Sequence, residues 1–256
     1  MFNKLSVLML AIFAGIFFLL GNIIVRFAKD KKGVSILSIG MGFVVMLGML
    51  LLDLIPEIIT LSNEISLEKT TKLIYIFVFI LIGVVLLKIM DIFMPHHHHE
   101  HHEHEDETIH EKHMSHIGLM TTVSLILHNI LEGMSIYILG MTDFTTGLLT
   151  SLAIGAHNLP LGMEISSSMS SDKKKQKIIT FTLLTISSFI GALLVLIIGD
   201  LPKLTELILI SLASGMILYI TLFELLQEIF NYKKEKKVYL GMLIGILLLV
   251  IMTIFN

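Results

Sequence analysis

Long apolar runs separated by short charged segments set the pattern of this chain. The runs cover about 5–27, 34–59, 73–94, 117–139, 147–169, 178–199, 207–230 and 238–255. A helix of about 20 residues crosses a hydrocarbon core of about 30 Å, so each run is long enough or nearly so to span. The pattern predicts an all-α polytopic membrane protein with eight transmembrane helices. A polar tract, His96 to Asp106, follows the third run, with His110, His113 and His116 beyond it. Such a tract cannot build a core. It divides the chain into 1–95 (helices one to three), a His-rich loop over 96–116, and 117–256 (helices four to eight). No small-residue cleavage site follows the first run, which reads as a retained helix and not a signal peptide.

Composition sharpens this picture. Hydrophobic residues make up 55% of the 256 and charged residues 15%, against about 25% charged in soluble domains. Little chain is left for a separate soluble domain. Cysteine is absent, which excludes disulfides and thiolate zinc sites. Any transition metal must be held by His, Asp, Glu, Asn or Met. Lysines cluster after the first, fifth and seventh runs, all on one face. The positive-inside rule puts that face, and the His-rich loop with it, in the cytoplasm, with both termini outside. The lysine clusters are short and carry no aromatic interleaving, which argues against nucleic-acid binding. A compact chain without a targeting segment favours a prokaryotic inner (plasma) membrane.

Histidine is reserved for two places. Ten of the twelve lie in the loop, among them His96, His97, His98, His99, His101, His102 and His104. The other two open polar islands in mid-run, His128-Asn129-Ile130-Leu131-Glu132-Gly133 and His157-Asn158-Leu159-Pro160-Leu161-Gly162. Polar groups at that depth are expensive and mark function. His128 and Glu132 are four apart and share a helix face. Asn129 and Asn158 add amide oxygens. Pro160 has no N–H, which leaves the Ala156 carbonyl without its usual partner. Glu164 follows His157 by seven residues, two turns on the same face. Interhelical hydrogen bonding is the plainer explanation for one such island. Two islands on successive helices, one with a carboxylate at the right spacing, point to a metal site. Asp53 and Glu57 near the outer end of helix two, and Glu224 and Glu228 near the inner end of helix seven, read as entrance and exit acids or as boundary carboxylates. The stretches around them, Asp53-Leu54-Ile55-Pro56-Glu57 and Glu224-Leu225-Leu226-Gln227-Glu228, are alike but run in opposite directions, which hints at inverted repeats.

The two islands resemble the paired metal-site motifs of the ZIP family of divalent-metal transporters. So do Met46-Leu47 with Asp53-Leu54-Ile55-Pro56-Glu57, and Gly215-Met216-Ile217-Leu218-Tyr219 on helix seven. The resemblance covers the whole chain. It implies eight helices in a 3+2+3 arrangement with inverted repeats, and a mid-membrane centre between helices four and five. Met46, His128 and Glu132, with His157 close by, would meet one metal; Asn129, Glu132 and Asn158 would border a second. Leu161 and Ser188 stand where the family usually has carboxylates, which weakens the second position and leaves Glu164 as a substitute. The implied substrate is Zn²⁺, or Fe²⁺, Mn²⁺ or Cd²⁺, moved into the cytosol, with no resident cofactor. The histidine loop would capture or sense metal. The expected partners are the ion, the lipid bilayer and, as one option, a second copy of the chain.

Two other readings stay open. A divergent sensor or binding protein with little transport would suit the missing carboxylates. An intramembrane metallohydrolase would need a third ligand and a general base, and no His-Glu-x-x-His is present. The chain is not expected to be an enzyme.

Overall fold

The computed structural model describes residues 4–93, 106–169, 174–199 and 201–255. These residues are almost entirely helical. The helices are α1 (Lys4–Phe27), α2 (Lys31–Glu64), α3 (Lys69–Phe93), α4 (Asp106–Thr142), α5 (Phe144–Ser168), α6 (Lys174–Ile198), α7 (Lys203–Asn231) and α8 (Lys236–Phe255). Six of them, α1, α2, α3, α4, α6 and α7, are long and apolar enough to cross a membrane. The chain is therefore an integral membrane protein. α5 is more polar, with its serines, threonines, His157, Asn158 and Glu164, and it is enclosed by the others.

The largest boundary difference from the sequence expectation is at the start of α4. α4 begins at Asp106 and not near residue 117, so the second half of the stretch read as loop has a helical backbone. Its polar character hid this, because a helix can run past the apolar segment that anchors it. His96, His97, His98, His99, His101, His102 and His104 lie outside the described residues.

Helix starts carry their own caps. Asp30 precedes α2, and its carboxylate accepts the Gly33 N–H at 2.8 Å. It also pairs with Lys237 at the start of α8, and this cation and the Gly33 N–H hold the Asp30 carboxyl below the usual range. Asp143 is the lone residue between α4 and α5. Its Oδ2 accepts from the Thr146 N–H and the Thr146 hydroxyl, both at 2.8 Å. That one-residue turn makes α4 and α5 antiparallel neighbours.

Close crossings set the packing. α1 lies on α5, α4 on α6, α2 on α8, and α3 on α7, while α4 and α5 meet at the centre. Each of the four outer crossings is made by two reciprocal glycines. At α4–α6, a Cβ on Gly133 would strike the Ser188 carbonyl, and one on Gly191 the Ile130 carbonyl. Gly21 and Gly162 do the same for α1–α5, Gly40 and Gly241 for α2–α8, and Gly83 and Gly215 for α3–α7. Small residues let backbones touch, which is how helices associate without a hydrophobic drive.

Two helices are locally widened. Over Leu50–Leu54 in α2 and Ile220–Leu225 in α7 the backbone makes a π turn, closed by Ile55 N–H to the Leu50 carbonyl and Leu226 N–H to the Thr221 carbonyl. Pro56 supplies no N–H to the turn before it, which accounts for the first; the second contains no proline. The turns carry Asp53 and Glu224, the paired acids of the two similar stretches, and such turns recur at functional sites.

Candidate metal centre

The α4–α5 hairpin brings the two islands to one depth. His128 stands 15 residues before Asp143 (143 − 128) and His157 stands 14 after it (157 − 143). At equal rise per residue, two antiparallel helices then carry both imidazoles to the same level. Glu132, one turn from His128, points between them.

The geometry is tight. His157 Nε2 lies 2.9 Å and His128 Nε2 3.1 Å from the same Glu132 oxygen, Oε1. The imidazole centroids are 6.1 Å apart. All three residues are buried, none more than 7% exposed. Glu132 Oε2 and all four imidazole nitrogens have no hydrogen-bond partner among the described residues. Among those residues, His128, Glu132 and His157 are the group whose donor atoms converge closely enough to hold a metal ion, all within 4.8 Å of one another. Two imidazoles and one carboxylate are a ligand set for zinc and its neighbours.

The asparagines sit beside this group, held from behind. Asn129 Nδ2 donates to Ser187 Oγ of α6 at 3.1 Å, and Asn158 Nδ2 donates to the Ala14 carbonyl of α1 at 3.2 Å. Both are fully buried, and both Oδ1 atoms lack a partner among the described residues. Each amide thus spends its N–H on the scaffold and keeps its oxygen free.

A cavity of about 420 Å³ leads to the group. His128, Glu132 and His157 line it with Leu131, Met134 and Ile154, and so do Asp53 and Glu57 of α2 and Lys203 and Glu206 of α7. Lys203 bridges Glu64 at 3.4 Å and Glu206 at 3.3 Å. Lys203 and Glu206 were not singled out from the sequence. They sit in an ordinary helix start after Pro202, and only the packing of α7 against α2 brings them to the cavity.

Other expected residues lie elsewhere. Met46 is fully buried in the core and does not line the cavity, to which α2 contributes Met49 and Leu52. Glu164 is fully buried against Gly42 of α2, apart from the cavity. Glu224 and Glu228 are buried on the lower part of α7, with Asn231 Nδ2 donating to Glu228 at 3.3 Å. Leu161 is fully buried in the apolar core, and the Ser188 hydroxyl is buried with no partner among the described residues.

Comparison with known proteins agrees with this geometry. The family model described as ZIP zinc transporter matches residues 95–253, a span that contains α4 to α7 and the whole His128, Glu132, His157 group. No curated protein matches the chain. With well over half of its length matched, the chain belongs to the ZIP zinc transporter family, a family of metal-ion transporters and not of enzymes.

Proposed function

We propose that this protein carries a divalent transition metal, zinc first among them, into the cytosol through a single centre made by His128, Glu132 and His157. The observation that carries the reading is the convergence of two Nε2 atoms on one buried Glu132 oxygen, at 2.9 and 3.1 Å, deep in an acid-lined cavity. Both Nε2 atoms stand at ion-pair distance from Glu132 Oε1. A bound metal ion takes the two imidazoles and the carboxylate as deprotonated ligands. The free oxygens of Asn129 and Asn158 offer neutral donors at the edge. With Leu161 and Ser188 in place of carboxylates, one metal is bound and not two.

Asp53 and Glu57, joined by Glu206, collect cations at the cavity mouth. Glu224 and Glu228 act on the inner side, and His96 to His104 capture or sense metal in the cytoplasm. The lysine distribution supports this orientation, with both termini outside. All eight helices span, as a 3+2+3 bundle with inverted repeats. The packing supports that plan: exchanging helices one, two, three and four with six, seven, eight and five maps α1–α5 onto α6–α4 and α2–α8 onto α7–α3. The paired π turns at Asp53 and Glu224 follow the same exchange.

The test is zinc uptake by proteoliposomes. His128→Ala and His157→Ala should each cut uptake severely while leaving the protein folded. Wild-type uptake with both variants unimpaired would refute the site, and no uptake of any divalent transition metal would refute the function.

A further inference from the structure

A second buried carboxylate lies inward of the centre and takes no part in it. Glu164 follows His157 by seven residues on α5, about 10 Å of helix rise. It is fully buried. Its Oε1 accepts from Ser168 Oγ at 2.8 Å, and its Oε2 has no partner among the described residues. Room for it comes from α2: a Cβ on Gly42 would stand 3.1 Å from Glu164 Cγ.

The surroundings are oxygen-rich. Ser38 Oγ donates to Ser167 Oγ at 3.1 Å, and Ser166 Oγ donates to Asn22 Oδ1 at 2.8 Å. Lys177 Nζ donates to the Ser166 carbonyl at 2.7 Å, and among the described residues no cation pairs with Glu164. Along α5 Leu161 stands between His157 and Glu164, and along α2 Met46 stands between Gly42 and Met49; both side chains are fully buried and apolar. The route inward along the α2–α5 seam is therefore a nitrogen-and-carboxylate centre, an apolar step, and an oxygen-lined step with an unpaired carboxylate. A buried carboxylate with one hydrogen bond and no cation is costly inside a membrane.

We propose that Glu164 and Ser168 form a second cation-binding station, which receives the divalent ion after it leaves His128, Glu132 and His157 and passes the Met46–Leu161 step. This rests on the transport reading above. The donors are all oxygen and carry one charge, so this station holds a borderline metal less tightly than the imidazoles do. Weak holding suits a site that must release.

The test uses the full chain in proteoliposomes with zinc. Glu164→Gln keeps the shape and the acceptor for Ser168 but removes the charge. It should lower the maximal uptake rate about tenfold or more, with the KM for zinc, set at the outer centre, within about twofold of wild type, and Glu164→Asp should recover part of the rate. Zinc-induced infrared difference spectra of the purified protein give a second readout: a carboxylate band lost in Glu164→Gln and kept in Glu132→Gln. Uptake by Glu164→Gln within twofold of wild type, or no such band, overturns the station. A loss that Glu164→Asp does not recover, together with a lowered thermal midpoint, assigns Glu164 a structural role and overturns it as well. A silent wild type that still shows the band refutes transport and leaves the station standing.

Discussion

Gly133→Ala tests how far the centre depends on backbone contact. Gly133 adjoins Glu132 and lies against α6. An added Cβ would stand 2.7 Å from Ser188 Cα and collide with the Ser188 carbonyl, whereas ordinary contacts begin at 3.4 Å. Both partners are backbone, so neither can swing aside, and the helices must part by roughly 1 Å to restore normal carbon contacts. Overpacking of this kind costs about 1–3 kcal/mol, and the helix propensity gained on replacing glycine by alanine returns at most about 1 kcal/mol. The variant should lose about 1–2 kcal/mol of stability. The functional effect should be larger. Metal ligands tolerate displacements of about 0.2 Å, and Glu132 is the next residue. The KM for zinc uptake should rise about 10–100-fold, the range seen when the support of a metal ligand is disturbed. Gly40→Ala is the control. It meets the Val238 carbonyl in the same way, but it lies 13 residues (53 − 40) from Asp53, about 20 Å along α2. Both variants should melt earlier in detergent, and only Gly133→Ala should shift KM. Uptake by Gly133→Ala with a wild-type KM would refute the coupling between this crossing and the centre.

Two further outcomes follow from the ends of the helices. Lys203 occupies the acidic mouth as a tethered cation, so Lys203→Gln should lower the KM for zinc about 2–3-fold at low ionic strength, the scale of an exposed ion pair. The effect should fade in about 0.5 M salt, and uptake rates at two salt concentrations read it directly. At the α4–α5 turn, the Thr146 N–H and hydroxyl hold the Asp143 carboxyl below the usual carboxylate range. A depressed folded value means that the cap stabilises above the ordinary pKa of about 3.9 and that its contribution is lost as pH falls through the folded value. Asp143→Ala should therefore melt below wild type at pH 7 and converge with it in strong acid, while Asp143→Asn keeps the cap. Thermal midpoints of the three proteins against pH check this.

The central group was largely legible in the sequence because every part of it is local. His128 and Glu132 are one turn apart, and a one-residue turn at Asp143 sets His157 at their depth. Glu164 was harder. Seven residues from His157 it keeps the same face, but two turns of rise carry it about 10 Å away, and sharing a face is not sharing a site. Met46 likewise faces the core beside the cavity and does not enter it. Lys203 and Glu206 reach the mouth only through the packing of α7 on α2, a long-range contact that no local pattern encodes. The π turns and the early start of α4 at Asp106 were hidden too, since apolar periodicity reports which residues are buried and not how the backbone is bonded.

The most direct measurement is the initial rate of zinc uptake by proteoliposomes holding equal amounts of wild-type protein or Glu132→Ala, against protein-free vesicles. Wild type should exceed empty vesicles clearly, and Glu132→Ala should fall to their level, because among the described residues Glu132 is the carboxylate whose oxygen converges with both imidazoles. Equal rates for wild type and Glu132→Ala would contradict transport through this centre.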